Sequence, residues 1–328
     1  MNSVHENNFF NISTETEFSE FALHLFQRQA KDVEVYKQFL ELLKIDPGQV
    51  KNVIDIPFLP ISFFKSHKIA REDADEKIIF SSSGTTGQVS SKHYVSDLSI
   101  YESSFRKGFQ HFYGKPKEYC ILALLPAYLE RTGSSLVYMV DDLIKKSTHS
   151  KSGFYLNNHQ ELRVTLKELK FQKQKTLLIG VSFGLVDFVE EQSFQWPELT
   201  VMETGGMKGR RKEIIRAELH TILKKAFKSD QIHSEYGMTE LLSQAYSNGE
   251  GQFSTPSWMK VLIRDPEDAL SILPKGKSGG INIIDLANVH SCTFIATQDL
   301  GKIHENGTFE VLGRFDQSDI RGCNLMVL

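Results

Sequence analysis

Three short strand patterns, each followed by a helical pattern, constrain the fold of this chain more than any other feature. They span residues 119–125, 176–180 and 199–202, and the first is a continuous apolar run. Such a run is typical of a strand buried on both faces, as in a parallel sheet covered by helices. Because strand and helix alternate through this region, we expect an α/β fold with mostly parallel sheets flanked by helices.

The helical patterns between and after these strand patterns have apolar residues at helical spacing. We expect helices at residues 96–112 and 134–146 and from about residue 185. The clearest helical pattern follows the third strand pattern, with an apolar stripe of Ile215, Leu219, Ile222, Leu223 and Ala226. Ligands of such sheets bind beyond the carboxyl ends of the strands. We expect four loops to meet there, namely those after Phe80, Leu125, Gly180 and Met202.

The two flanks of this region have different patterns. Thr14 and Glu17 form a predicted capping box that opens a helix, and an apolar segment further on is broken by Pro57 and Pro60. Those prolines exclude a regular helix or a central strand, so we expect an extended segment packed on the body. Short strands separated by turns near the other end predict a small antiparallel β subdomain. We therefore divide the chain into an N-terminal segment, an α/β core, a β subdomain and a short tail, at residues 1–70, 71–250, 251–312 and 313–328.

Composition excludes several classes of protein. The chain has 328 residues and a formal net charge of -3, which gives no support to nucleic-acid binding. We expect no membrane span, because no apolar run has the necessary length, and a cytoplasmic location, because the first residues do not resemble a signal peptide. The three cysteines, Cys120, Cys292 and Cys323, include no C-x-x-C pair. That spacing argues against a disulfide framework or a structural zinc site.

The segment from Ile78 to Tyr94 has the composition of a phosphate-binding loop. A short apolar strand leads into a loop that ends at Lys92 and contains Ser82, Ser83, Gly84, Thr85, Thr86 and Gly87. The glycines let several backbone N–H groups point at one anion, the hydroxyls add donors, and the lysine adds positive charge. A solvated Ser/Gly linker is the alternative, but it needs neither the strand nor the lysine. The Walker A pattern is absent, which disfavours a P-loop NTPase.

Three further polar segments follow predicted strands, and with this loop they carry a resemblance to a known family. They are HSEYGMTE (233–240), TQDLG (297–301) and GRFD (313–316). SSGTTG (82–87) and these segments occur in the order seen in adenylate-forming enzymes, which include acyl-CoA synthetases, peptide-synthetase adenylation domains and firefly luciferase. Over almost its whole length the chain resembles in particular the acyl-protein synthetases, the long-chain-fatty-acid–luciferin-component ligases. IPFLPISFFKSHK and ETGGMKGRRKE also look like that family.

The resemblance implies the fold of the large N-terminal domain of these enzymes, with ATP as substrate and Mg²⁺ as cofactor. It implies that the serine- and glycine-rich loop and Lys92 hold the β- and γ-phosphates, that Glu240 lies near Mg²⁺, and that Tyr236 lies against adenine. Asp299 is expected to accept hydrogen bonds from the ribose hydroxyls, with Arg314 beside them. The implied nucleotide-binding residues are Ser82, Ser83, Gly84, Thr85, Thr86, Gly87, Gly205, Gly206, Tyr236, Gly237, Thr239, Asp299 and Arg314, and the implied catalytic residues are Lys92, Glu240 and Cys323.

The activity that the resemblance implies is ATP-dependent activation of a carboxylic acid, expected to be a fatty acid, as an acyl-adenylate with release of pyrophosphate. The acyl group then moves to a cysteine, here Cys323, and on to a partner protein, a reductase in that family. Arg321 lies beside Cys323 and can stabilise its thiolate. Cys120 and Cys292 lie in apolar strands and are expected to be inert. Typical adenylate-forming enzymes continue into a mobile C-terminal domain that supplies a lysine, and we expect that domain to be missing here.

Three other functions remain open from the sequence. Ser182 lies in a G-x-S-x-G pattern between a strand and a helix, as in an α/β-hydrolase, and Asp265 or Asp285 with His290 would complete a triad. No oxyanion-type segment precedes it. The acyl acceptor could instead be coenzyme A, as in phenylacetate–CoA ligases. The chain could also be a non-catalytic nucleotide-binding subunit.

Overall fold

The computed structural model describes residues 8–82, 89–126, 133–191, 193–205 and 214–315. The predicted site residues outside these ranges are Ser83, Gly84, Thr85, Thr86, Gly87, Gly206 and Cys323. In the described ranges, the helices are α1 (Glu15–Asp32), α2 (Glu34–Leu42), α3 (Phe63–Ser66), α4 (Leu98–Tyr113), α5 (Ser135–Ser147), α6 (His159–Phe171), α7 (Ser182–Glu191) and α8 (Arg216–Phe227). The strands are β1 (Leu59–Pro60), β2 (Ile78–Ser81), β3 (Lys92–Val95), β4 (Cys120–Leu124), β5 (Gly153–Phe154), β6 (Thr176–Gly180), β7 (Thr200–Glu203), β8 (His233–Tyr236), β9 (Ala245–Ser247), β10 (Gln252–Phe253), β11 (Met259–Arg264), β12 (Ile272–Leu273), β13 (Ser278–Asp285), β14 (Phe294–Ile303) and β15 (Phe309–Arg314).

A six-stranded sheet forms the centre of the α/β part, with the strand order β5-β4-β6-β7-β8-β9. Its strands run parallel from β5 to β8, and β9 pairs antiparallel with β8. Every residue of β4 and β6 is buried, as expected for strands covered on both faces. The predicted parallel sheet is therefore confirmed.

Alternate residues of β4 enter two separate apolar clusters, because successive side chains of a strand point to opposite faces. Ile121 and Ala123 pack in the cluster that contains the buried faces of α4 and α5. Leu122 and Leu124 pack in the second cluster, with α6, α7 and α8. Helices on both faces thus hold the carboxyl ends of the parallel strands at one edge.

A second sheet follows in the chain, with the order β10-β15-β14-β13-β11-β12 and antiparallel neighbours throughout. The predicted antiparallel sheet is present, and β1 joins it by pairing parallel with β14, Leu59 opposite Ile295 and Pro60 opposite Ala296. The extended segment therefore packs on the body as expected. The prediction that this segment contains no helix was wrong for α3, because both prolines precede that turn and cannot interrupt it.

The hairpin of β2 and β3 forms a separate two-stranded sheet, with Ser81 opposite Lys92. The strand before the predicted phosphate loop exists, but its expected place among the strands of the parallel sheet was wrong. The hairpin reaches the same edge by another route, because the backbone N–H of Ser81 donates to the carbonyl of Gly133 at 2.7 Å, in the turn before α5.

Helix boundaries differ from the prediction at two places. The capping box of α1 is confirmed, since Thr14 Oγ1 accepts from the N–H of Glu17 at 3.2 Å and the Glu17 carboxylate accepts from the N–H of Thr14 at 3.0 Å. Helix α7 begins at Ser182, three residues earlier than expected. Ile215 precedes α8 in extended backbone and is 73% exposed, so its place in the apolar stripe was wrong.

Within the ranges described, no helix combines the length and the apolarity that a membrane span needs.

Candidate active site

A cleft of about 780 Å³ opens where the carboxyl edge of the parallel sheet meets β14 of the second sheet. Residues just after β4, β6, β7 and β8 line it, namely Pro126, Val181, Ser182, Thr204, Gly205, Gly237, Met238, Thr239 and Glu240. The hairpin contributes Ser81, Ser82 and Ser91, and β14 contributes Thr297, Gln298 and Asp299. The cleft therefore lies beyond the carboxyl ends of the strands, where the sequence places the ligand.

Most of the predicted site residues in the described ranges meet in this cleft. Those that line it are Ser82, Gly205, Tyr236, Gly237, Thr239, Glu240, Asp299 and Arg314. Lys92 does not line it, because its side chain is exposed whereas Ser91 and His93 on either side are buried. Ser91 faces the cleft instead, and the phosphate-binding role of Lys92 stays a prediction.

Asp299 connects the two sheets within the cleft. Its Oδ2 accepts from the hydroxyl of Tyr236 at 2.8 Å, and its Oδ1 accepts from Nε of Arg314 at 3.3 Å. Burial raises the pKa of Tyr236 well above its usual value, so the phenol keeps its proton and remains a donor. The ring of Tyr236 packs on Phe253 and Phe309 at centroid distances of 5.8 and 5.6 Å. These contacts fix a carboxylate and an aromatic face side by side.

Glu203 ends β7 and is a charged residue of the cleft to which sequence reasoning assigned no role. Its carboxylate accepts from the N–H of Gly205 at 2.8 Å and pairs with Nε of Arg216 at 3.1 Å. Burial raises the pKa of Glu203, but the hydrogen bond from His220 and the positive charge of Arg216 outweigh burial and lower the pKa to about 2. Gly205 has φ +72°, a conformation that suits glycine, which lets the chain turn away from the strand at this point.

Glu235, in β8, is the second carboxyl of the cleft that the sequence analysis missed. It is 7% exposed, and burial, together with the negative charge of Glu203, raises its pKa to about 8. The carboxyl is therefore neutral at pH 7. A Cβ on Gly237 would lie 2.4 Å from Glu235 Oε1, so any larger residue there would displace the Glu235 carboxyl.

Glu240 is buried at the floor of the cleft, and burial raises its pKa despite a hydrogen bond from Ser91 and the charges of Lys65 and Arg314. The backbone around it is fixed from the second sheet. Nδ2 of Asn288 donates to the carbonyl of Glu240 at 2.9 Å. Asp285 holds the next turn with the four donors Leu242 N, Ser243 N, Ser243 Oγ and Ala287 N, at 2.6 to 3.0 Å.

A single buried carboxylate suits Mg²⁺ in the company of phosphates. Among the residues described, no group of three or more His, Cys, Asp or Glu side chains is placed to hold a metal ion. Mg²⁺ keeps several waters and is bound by one or two carboxylates plus substrate phosphates, without an all-protein cage. Glu240 fits that donor set.

The apolar part of the cleft lies on the side of α5 and α7. Its walls are formed by Leu136, Met139, Leu156, Val181 and Phe183, with the ring of Tyr101 beside them. The cleft thus combines carboxylates, among them Glu240 and Asp299, with an apolar wall from α5 and α7. This combination suits a ligand with an anionic head and a hydrocarbon body.

Ser182 lines the cleft, but the residues of the suggested triad do not join it. The cleft walls do not include Asp265, Asp285 or His290. Asp285 is fully buried, and its carboxylate accepts the four hydrogen bonds described above. The backbone N–H of Ser182 donates to the carbonyl of Gly205 at 2.9 Å. The G-x-S-x-G segment therefore serves the turn from β6 into α7. The suggested histidine and aspartates do not lie in the cleft with Ser182, so they do not form the triad of a hydrolase.

The sequence matches one family model over nearly its full length. That model is described as acyl-protein synthetase, LuxE, and it matches residues 4–328. A long-chain-fatty-acid–luciferin-component ligase of Vibrio harveyi is 24% identical over 319 residues, which cover 88% of this chain and 82% of that protein.

Two solved structures share the fold of this chain. ATP-bound MatB from Rhodopseudomonas palustris has a TM-score of 0.53 and 20% identity over 74% of this chain, which spans about half, 49%, of that structure. An open conformation of 2-hydroxyisobutyryl-CoA ligase with 2-HIB-AMP and CoA has a TM-score of 0.65 and 11% identity, covering 92% of this chain and 71% of that one. The fold is therefore the one expected from the sequence.

Proposed function

The chain belongs to the acyl-protein synthetase family, LuxE, and from this membership we propose that it activates a fatty acid with ATP and passes the acyl group to a thiol. It is an adenylate-forming ligase. The observation that carries the proposal is the meeting of Tyr236, Glu240, Asp299 and Arg314 in one cleft that also has apolar walls. The relative from Vibrio harveyi is named for a long-chain fatty acid, which suits such a cleft.

The first proposed step is adenylation. A carboxylate oxygen of the fatty acid attacks the α-phosphorus of ATP, so that an O–P bond forms while the bond to the β-phosphate breaks. Pyrophosphate leaves with that electron pair, and no proton transfer is needed because the nucleophile is already an anion. The protein's part is positioning and charge neutralisation.

The described residues suggest how the nucleotide would bind. Asp299 would accept hydrogen bonds from the ribose hydroxyls in place of those from Tyr236 and Arg314. The ring of Tyr236 would lie against the adenine. Ser82 begins the segment expected to hold the β- and γ-phosphates, and Glu240 would hold Mg²⁺. The metal would neutralise charge on the phosphates, as in other phosphoryl-transfer sites.

The second proposed step transfers the acyl group to Cys323. Its thiolate attacks the acyl carbon, a thioester forms, and AMP leaves with the electrons of the broken C–O bond. The other two cysteines are poor candidates, because burial raises the pKa of Cys120 to about 11 and that of Cys292 to about 12. From Cys323 the acyl group would pass to a partner protein.

A second candidate acceptor is coenzyme A, because one structure of the same fold holds 2-HIB-AMP together with CoA. The two candidates differ in where the acyl group ends. A protein acceptor leaves radiolabelled acyl on the chain without added CoA, whereas a CoA acceptor needs CoA for AMP release and leaves the chain unlabelled.

The test is ATP–pyrophosphate exchange with fatty acids of several lengths, followed by acyl labelling, for the wild type, Cys323→Ser and Cys120→Ser. We expect exchange in all three proteins and label on the wild type and Cys120→Ser. Label that persists on Cys323→Ser would exclude Cys323 as the acceptor. No exchange by the wild type with any fatty acid would refute the proposed adenylation.

A further inference from the structure

The charges of the cleft are unevenly paired. In the described ranges its charged residues are Lys65, Glu203, Arg216, Glu235, Glu240, Asp299 and Arg314. Arg216 is held by Glu203 at 3.1 Å, and Arg314 is held by Asp299 at 3.3 Å. Two of the three cations are therefore already engaged by carboxylates.

Lys65 is the third cation, and its ammonium group makes no hydrogen bond or salt bridge with any residue that the structure describes. It belongs to α3, in the proline-rich segment whose sequence suggested only packing. Its side chain lines the cleft, and its positive charge opposes the rise that burial causes in the pKa of Glu240. A lysine side chain is a point charge with three hydrogen-bond donors, and here none of the three has an acceptor among the described residues.

The backbone that carries Lys65 is anchored to the site from two directions. On one side, β1 pairs with β14, and the N–H of Ile61 donates to the carbonyl of Ala296 at 2.9 Å, three residues before Asp299. This pairing fixes the start of α3 relative to the strand that carries the predicted ribose ligand.

On the other side, Phe64 is buried edge-on against His93, with ring centroids 5.6 Å apart. His93 is itself held by the carbonyl of Thr239 through Nδ1 at 3.0 Å and by Ser291 through Nε2 at 2.8 Å. Phe64, next to Lys65, thus packs on His93, and His93 is hydrogen-bonded to Thr239, next to Glu240. These contacts fix the backbone position of Lys65, an exposed residue whose side chain lines the cleft.

We propose that Lys65 contacts the β- or γ-phosphate of the nucleotide, as a phosphate-binding residue of this cleft. The assignment rests on the proposed adenylation, because it takes ATP as the anion that enters the cleft. The outer phosphates are favoured over the α-phosphate because Lys65 and Ser91 both act on Glu240, and Ser91 flanks the predicted phosphate loop. The contact supplies positive charge where both arginines are already paired.

The experiment compares binding of ATP and AMP to the wild type, Lys65→Met, Lys65→Arg and Lys68→Met by titration calorimetry. Lys68 is the matched control, because it lies three residues away and pairs with Glu76 outside the cleft. We expect Lys65→Met to weaken ATP binding roughly tenfold, about 1.4 kcal/mol, with AMP binding changed less than about twofold. Lys65→Arg should keep most of the ATP affinity, and Lys68→Met should match the wild type.

ATP affinity of Lys65→Met equal to that of Lys68→Met would overturn the proposal. An equal loss for ATP and AMP would place Lys65 at the α-phosphate and would also overturn it. Unfolding temperatures of the four proteins show whether the fold is intact, and a damaged Lys65→Met is replaced by Lys65→Gln, for which the same loss of ATP affinity is expected. The proposed adenylation can fail separately, by ATP binding without pyrophosphate exchange, and a wild type that binds neither nucleotide would overturn both.

Discussion

Replacing Glu235 by glutamine should stabilise the protein at neutral and alkaline pH. The wild-type carboxyl has a folded pKa of about 8 against the ordinary value of 4.5, because it is buried and lies near the charge of Glu203. The folded protein therefore holds a proton that the unfolded chain has released between these two values. Since the folded state binds more protons there, the free energy of unfolding falls as pH rises from about 4.5 to 8.

The magnitude follows from the interval over which only the folded state keeps the proton. Between 4.5 and pH 7 this interval is 2.5 pH units, which at about 1.4 kcal/mol each amounts to about 3 kcal/mol of lost stability. Glutamine has nearly the same shape and no proton to lose. Glu235→Gln should therefore gain up to about 3 kcal/mol over the wild type at pH 7, with little difference at pH 4.5.

The assay is urea unfolding of the wild type and Glu235→Gln at pH 5, 7 and 8.5. Glu203→Gln is the control with the opposite sign, because the folded pKa of Glu203 is about 2 and its charge stabilises the fold above 4.5. That stability is lost as pH falls through about 2, and Glu203→Gln should be less stable than the wild type at pH 7 by about 3 kcal/mol. An unchanged pH slope in Glu235→Gln would refute a neutral Glu235 in the fold.

Three further changes test how the cleft is held. Asp285→Asn should lower the free energy of unfolding by about 2 to 3 kcal/mol in urea, because a buried acceptor of four donors is replaced by a group with one acceptor oxygen; stability equal to the wild type would contradict this. Gly237→Ala should destabilise by about 1 to 3 kcal/mol, and less so combined with Glu235→Ala, whose side chain is the one it meets; additive losses would count against that contact. Tyr236→Phe should cost about 1 kcal/mol in thermal unfolding, as it removes the 2.8 Å bond to Asp299, and the same loss in an Asp299→Ala background would exclude that bond as the cause.

The parallel sheet could be predicted because its strands are buried on both faces and therefore appear as apolar runs. Strand β5 was not recognised, because two residues have no periodicity to detect. Helix α6 was not recognised either. Lys92 illustrates a second limit, because a strand turns alternate residues to opposite sides and the loop pattern does not show which side faces the ligand. The structure places Ser91 there.

The motif residues were found through family resemblance, whereas the residues that balance their charges were not. Glu203, Glu235 and Lys65 come from three distant parts of the chain, and none has a local pattern that marks it. Their meeting depends on the pairing of β7 with β8 and of β1 with β14. Such pairings are set by long-range packing, which a single sequence does not display.

The raised pKa of Glu235 makes the cleft more favourable to a polyanion. Glu203 is offset by Arg216 and Asp299 by Arg314, so each of these pairs adds little net charge to the cleft. Glu240 remains, opposed by Lys65 from within the described walls. A charged Glu235 would add a carboxylate that no cation of the described walls opposes, in a site of low dielectric where repulsion of phosphates is strong. Burial, together with the charge of Glu203, raises the pKa of that carboxyl to about 8, so at pH 7 Lys65 has Glu240 as its main carboxylate partner in the described walls.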